Sequence, residues 1–139
     1  MRVTVGITGT RHGLTDAQTS VLRQFLELFR RKGYTDFVHG DCKGVDVEAA
    51  AIAASLGFNI HTRPSQLRTR GVFTGPHTLY TPRGALERNK DIVDQADVML
   101  AFPETATEQR RSGTWHAIRY AKAQQKPLRI VCPDGSIVR

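Results

Sequence analysis

Apolar and polar residues alternate from the start of the chain, with Val3, Val5 and Ile7 between Arg2, Thr4 and Gly6. This period of two predicts a strand buried on at least one side, and it stops at Thr8-Gly9-Thr10-Arg11. From Thr15 the period changes. Val21, Leu22, Phe25, Leu26, Leu28 and Phe29 recur at helical spacing, and Thr15 with Gln18 makes a capping box. Arg30, Arg31, Lys32 and Gly33 bring the positive charge and stop residue of a helix C-terminus. Residues 36–39 read as a second strand, closed by the turn Gly40-Asp41-Cys42-Lys43-Gly44. A second helix runs from Val45 to the stop at Gly57, with Val45, Ala49, Ile52, Ala53 and Leu56 on one face, and its alanines let it lie close to a sheet. Residues 58–63 form a third strand.

Residues 64–80 show no sustained period and form the longest loop. Thr81-Pro82 then supplies an N-cap and a first-turn proline for a third helix carrying Ala85, Leu86, Asn89, Ile92, Val93 and Ala96. Asp97 opens the next strand, Val98-Met99-Leu100-Ala101-Phe102, whose unbroken apolar run fits a parallel strand covered on both faces. Pro103 ends it, 104–111 is a polar loop, Ser112 caps a fourth helix to about residue 125, and 127–133 is a last strand around Leu128, Ile130 and Val131. Strands alternating with helices imply right-handed crossovers and one open, doubly wound α/β domain spanning 1–139.

Composition narrows the class. With 139 residues, 40% hydrophobic and 24% charged, the chain is long and apolar enough to bury a core unaided. It has no apolar run of the length that spans a bilayer, and Met1 leads directly into the first strand, so neither a membrane partner nor secretion is expected. Cys42 and Cys132 lack Cys-x-x-Cys spacing, which predicts free thiols and a cytoplasmic setting. His12, His39, His61, His77 and His116 include no i, i+4 pair, so no metal site and no cofactor are expected. A net charge of +7 and a pI near 10.0 call for an anionic partner: phosphate, nucleotide or nucleic acid.

In an open α/β sheet, ligands bind beyond the C-terminal strand ends, where strand order reverses. Three small-residue turns fall there: Thr8-Gly9-Thr10-Arg11, Gly40-Asp41-Cys42-Lys43-Gly44 and Ser112-Gly113-Thr114. Glycine lets backbone N–H groups approach an anion, and a helix start adds partial positive charge and unpaired donors. Arg11, Lys43, Arg110 and Arg111 lie in or beside these turns. Neither Gly-x-Gly-x-x-Gly nor the Walker phosphate loop occurs, which argues against ordinary dehydrogenase and ATPase activities. The 64–80 loop holds Arg68 and Arg70, is flanked by Arg63 and Arg83, and contains no acidic residue, the composition of a lid or binding loop for an anion. Phe73, His77 and Tyr80 either stack on a base there or pin the loop to the core. Trp115 reads as a packing residue. Arg88 sits near an apolar helix face, placed to reach inward. Asp41, Glu87, Glu104 and Glu108 are the carboxylates near this edge, there to orient a ribose, activate a water or charge the surface.

Taken together, Gly6-Ile7-Thr8-Gly9-Thr10-Arg11, His39-Gly40-Asp41-Cys42-Lys43-Gly44-Val45-Asp46, Arg88-Asn89-Lys90 leading to Ala96-Asp97 and the apolar strand, and Ser112-Gly113-Thr114 resemble the SLOG superfamily. That group includes the lonely guy phosphoribohydrolases, the DNA-processing protein A family and small stand-alone nucleotide-sensor domains. The resemblance implies a Rossmann-like domain with an open, mainly parallel sheet and helices on both faces. It implies binding of a nucleotide or nucleotide derivative at the glycine-rich edge. Thr8, Gly9, Thr10, Arg11, Gly40, Asp41, Lys43, Gly44, Ser112, Gly113 and Thr114 would form the cradle, with Arg83 and Arg88 neutralising charge. In the phosphoribohydrolases an arginine before the fourth strand and a glutamate in Gly-Gly-x-Gly-Thr-x-x-Glu serve N-glycosidic cleavage. Arg88 matches the arginine, whereas the glutamate position is Ala117 and an eight-residue polar stretch, 104–111, separates Pro103 from Ser112. The resemblance therefore implies binding ahead of catalysis. Two alternatives follow it: a nucleoside 5′-monophosphate N-glycosidase or deoxyribosyltransferase-like enzyme using Arg88 with Glu104 or Glu108, and a single-stranded nucleic-acid binder. Homo-oligomerisation is a further expectation, because related proteins commonly dimerise.

Overall fold

A computed structural model describes residues 2–66 and 71–138; Arg68 and Arg70 of the anticipated positive loop lie outside the described residues. The chain lays down β1 (Thr4–Gly9), α1 (Asp16–Arg31), β2 (Asp36–His39), α2 (Val45–Ser55), β3 (Asn59–Thr62), β4 (Thr78–Leu79), α3 (Ala85–Gln95), β5 (Val98–Phe102), α4 (Gly113–Ala123), β6 (Leu128–Val131) and β7 (Ile137–Val138). Among the described residues the strands form one sheet in the order β4-β3-β2-β1-β5-β6-β7. All pairings are parallel except β6 with β7. The chain runs outward from β1 to β4 and then crosses back to β5 on the other side of β1. Strand order thus reverses between β1 and β5, and the crevice of an open α/β sheet opens at that point.

Period-two alternation splits the core in two. Leu100 and Phe102 of β5 join Val5, Ile7 and Phe37 beneath α1 and α2. Met99 and Ala101 face the opposite layer, with Val38, Ile130, Ile92, Val93, Ile118 and Trp115 beneath α3 and α4. Helices on both faces explain the unbroken apolar run of β5. Each fully buried Phe or Leu, such as Phe37, Phe102, Leu22 or Leu26, contributes about 1.5–3 kcal/mol relative to exposure. The capping box anticipated for α1 is present: Thr15 accepts from the Gln18 amide and Gln18 accepts from the Thr15 amide. The Gln18 side-chain amide also donates to the carbonyls of Pro103 and Val131, tying α1 to the ends of β5 and β6.

Three local expectations are corrected. The 64–80 stretch contains β4, which pairs His61 with Thr78 and Thr62 with Leu79. Helix α3 begins at Ala85 with Gly84 as its N-cap, not at Thr81-Pro82. The reason is tertiary: Arg83 accepts from the Gln66 amide and donates to the Pro64 carbonyl, so its backbone is held extended beside residues 64–66. A C-terminal hairpin adds β7, closed by a tight turn with Gly135 at φ +87°.

The aromatic residues of the 64–80 stretch pin it to the body of the domain. Phe73 is buried in the α1/α2 core, His77 is hydrogen-bonded to Thr62 at 2.7 Å, and the Tyr80 hydroxyl to His61 at 2.9 Å. His61 in turn meets Asp36 at 2.6 Å. No helix among the described residues is long and apolar enough to cross a membrane.

Candidate functional site

The C-terminal end of β1, Met99 of β5 and the N-terminal halves of α3 and α4 border a cavity of about 540 Å³. β1 supplies Thr8 and Gly9, the loop after it Thr10 and Arg11, α3 supplies Arg88 and Asn89, and the start of α4 supplies Ser112, Gly113 and Thr114. The Thr10 amide bonds the Phe102 carbonyl at 3.1 Å, so the first turn is a continuation of the β1–β5 ladder and inherits its rigidity. Ser112 caps α4 by accepting from the Trp115 amide. The preceding amides, Gly113 and Thr114, have no acceptor within the helix. Space in front of Gly113 is open: a β-carbon there would meet nothing within 4 Å. Arg11 and Arg111 also line the cavity, so its α4 end combines free donors, the positive end of a helix dipole and two guanidinium groups.

The α3 side of the cavity is built around a buried cation, Arg88. Arg88 Nη1 donates to the carbonyls of Gly40 at 2.6 Å and Arg63 at 3.2 Å, Nη2 to Cys42 Sγ at 3.4 Å, and Nε to Asn89 Oδ1 at 3.1 Å. Gly40 is required for this contact, because a β-carbon there would lie 2.6 Å from Arg88 Nη1 and 3.0 Å from Asp46 Oδ2. Asp46, in the first turn of α2, folds back so that Oδ2 accepts from the amides of Gly40 at 3.0 Å and Cys42 at 3.3 Å. Burial pushes the Asp46 carboxyl up to about 6, against the pull of the Arg88 charge and the two amides. Burial and the Asp46 charge push the Cys42 thiol up to about 11, so it stays protonated at neutral pH. Asn89 approaches both the Gly113 carbonyl at 3.5 Å and His116 Nδ1 at 3.4 Å, joining α3 to the start of α4. Burial, with the charges of Arg119 and Lys90, lowers the His116 pKa.

The second turn plays a different part from the one anticipated. The Gly40 and Cys42 amides serve Asp46, and the Asp41 amide donates to His39 Nδ1 at 3.0 Å. These donors are therefore spent inside the fold instead of facing the cavity. Asp41 is buried at φ +57°, and its Oδ1 accepts from the Phe73 amide at 2.8 Å. Gly44, at φ +86°, permits close approach to the Thr10 and Arg11 backbone, while Lys43 is exposed. None of Gly40, Asp41, Lys43 and Gly44 is among the lining residues. Arg83 is also elsewhere, paired with Asp91 at 2.9 Å, and Glu108 pairs with Arg119 at 2.8 Å. Glu104 does line the cavity, 3.7 Å from His12 Nε2 at an exposed rim.

Of the anticipated turn at residues 40–44 only Cys42 borders the cavity, and Asp46, Asn89, His12 and Gln109, which the sequence does not mark as lining residues, border it as well. Asp46 had a readable signal, an acidic residue in the first turn of a helix following a glycine-flanked turn. Among the described residues no group of three or more His, Cys, Asp and Glu side chains is arranged to hold a metal ion. Chemically, the cavity offers donors and positive charge at the start of α4, a carboxylate beside a buried guanidinium, and apolar lining from Ile7, Ile92, Met99 and Ala117.

No protein-family profile and no curated protein matches the sequence. Solved structures do match in shape. The molybdenum cofactor binding protein from the phototrophic bacterium Rippkaea orientalis is similar with a TM-score of 0.70 at 19% identity, covering 95% of this chain and 77% of that one. The X-ray structure of TM1055, a structural genomics target, is similar with a TM-score of 0.66 at 16% identity, covering 92% and 72%. At such identities the likeness is one of fold, and it establishes for this chain the Rossmann-like architecture that its resemblance to the SLOG group implies.

Proposed function

We propose that the protein binds a nucleotide or nucleotide-derived ligand through a phosphate group seated at the start of α4. The observation that carries this reading is the convergence, on one cavity at the β1/β5 switch point, of the Gly113 and Thr114 amides with Arg11 and Arg111. Thr8, Gly9 and Thr10 bring their backbone to the same space, and Ser112 fixes the helix start. Gly40, Asp41, Lys43 and Gly44 act in this reading as the support that positions Arg88 and Asp46. One structural neighbour is named for binding a molybdenum cofactor, which supports a small-molecule ligand for this fold. The test is isothermal titration with nucleoside 5′-monophosphates and the matching nucleosides. At least one monophosphate is expected to bind and its nucleoside to bind far more weakly; equal affinities would remove the phosphate from the site.

Binding ranks ahead of N-glycosidic cleavage because Ala117 faces the cavity where a glutamate would be required and Glu108 is held away by Arg119. Glu104 is the rim carboxylate that keeps the enzymatic reading open, and chromatography for free base released from the same monophosphates decides it. A single-stranded nucleic-acid binder would lose affinity steeply with salt as counterions are released, whereas a mononucleotide site gives a shallow slope.

A further inference from the structure

Asp46 is an unusual residue to find in an anion-binding cavity. It borders the space yet is only 4% exposed. Its Oδ2 accepts from both neighbouring backbone amides, the Cys42 thiol is a further donor to the carboxylate, and among the described residues no backbone amide bonds Oδ1. An ionised carboxylate has room for about four hydrogen bonds and can only accept, so its unfilled sites ask for donors from whatever enters. The same charge repels any second anionic group brought against it. The Arg88 guanidinium beside it favours the ionised form.

These facts restrict the ligand. Inorganic phosphate fills the α4 end and leaves Asp46 unanswered. A diphosphate or triphosphate folded into the cavity brings further negative charge towards a buried carboxylate. A sugar monophosphate with adjacent hydroxyls satisfies both ends, with phosphate on the α4 amides and hydroxyl donors on Asp46, while the apolar wall of Ile7, Ile92 and Met99 accommodates the carbon skeleton. Building on the phosphate-binding function proposed above, we infer that Asp46 is the specificity-determining residue of the cavity, accepting hydrogen bonds from the ribose hydroxyls of a nucleoside 5′-monophosphate and so selecting ribonucleotides over 2′-deoxyribonucleotides.

The experiment is calorimetric titration of the wild type with AMP, CMP, GMP and UMP and their 2′-deoxy counterparts, repeated with Asp46→Asn. A hydrogen bond to a charged acceptor predicts that the best ribonucleotide binds about 10- to 100-fold more tightly than its 2′-deoxy form. In Asp46→Asn, whose amide oxygen still accepts from Gly40 and Cys42, that gap closes while affinity for the 2′-deoxy form is kept or improved. A wild type that binds both sugars equally, or a gap that persists in the variant, overturns the inference and leaves the phosphate site standing. Binding of none of the eight overturns the phosphate site itself. Equal binding of both sugars by the wild type overturns the inference even if the variant fails to fold.

Discussion

Arg88 Nη1 donates to the Gly40 carbonyl at 2.6 Å, a contact between residues 48 positions apart. Through it, and through the bond to the Arg63 carbonyl, a side chain from α3 clasps the ends of β2 and β3. The residue that lends the cavity its buried positive charge is therefore also part of the framework. Removing it takes the cation away from the buried Asp46 carboxylate, which keeps only the Gly40 and Cys42 donors. Arg88→Ala is expected to destabilise the protein by about 3–5 kcal/mol, read from urea unfolding midpoints. Arg88→Lys keeps the charge but loses the planar fork and is expected to fall between the two. A loss under about 1 kcal/mol for the alanine variant would mean that the clasp is ornamental.

Gly40 is the other half of that contact. Gly40→Ala forces a methyl group to within 2.6 Å of the Arg88 guanidinium, a form of overpacking that costs about 1–3 kcal/mol. Gly113→Ala, at an open position, serves as the control and is expected to unfold close to wild type. Equal stability of the two variants would show that Arg88 yields without cost.

Gly113 gives the complementary result for ligand. Gly113→Asp places a carboxylate at the mouth of α4, where a β-carbon meets no neighbour. The fold is expected to survive, with an unchanged circular dichroism spectrum, while affinity for nucleoside monophosphates falls below detection in calorimetry. Unaltered affinity would move the phosphate away from this helix.

The raised pKa of Asp46 has a sign that can be checked. Burial lifts its carboxyl to about 6 in the folded protein, above the ordinary aspartate value of 3.8, so between those values the folded state binds more protons than the unfolded one. Stability arising from this group is greatest below about pH 4 and declines as pH rises to about 6, beyond which the full cost of the buried charge applies. Asp46→Asn removes this dependence. Relative to wild type, the variant is expected to be more stable at pH 8 than at pH 4.5, measured as the difference in urea midpoints at each pH. A difference that does not vary with pH would place the titration elsewhere.

Much of this architecture is legible locally. The strand ends at Thr8–Arg11, the Thr15–Gln18 box and the Ser112 cap follow from periodicity and capping chemistry, and Arg88 stands out as a charge near an apolar helix face. What was not legible depends on partners distant in sequence. β4 is two residues whose strand character comes from pairing with His61 and Thr62. Helix α3 starts at Ala85 and not at Thr81-Pro82 because the Arg83 backbone is paired with residues 64–66. The Gly40 turn looks like a donor cradle in isolation. Only the return of Asp46 onto its amides shows that those donors are already taken.

Among the described residues the sheet ends in two-residue strands on both sides, β4 and β7. Each offers a passing chain roughly 7 Å of ladder, too little to template the lateral growth that leads to fibrils. Brevity at the margins thus protects a mainly parallel sheet of strongly apolar strands from edge-to-edge pairing.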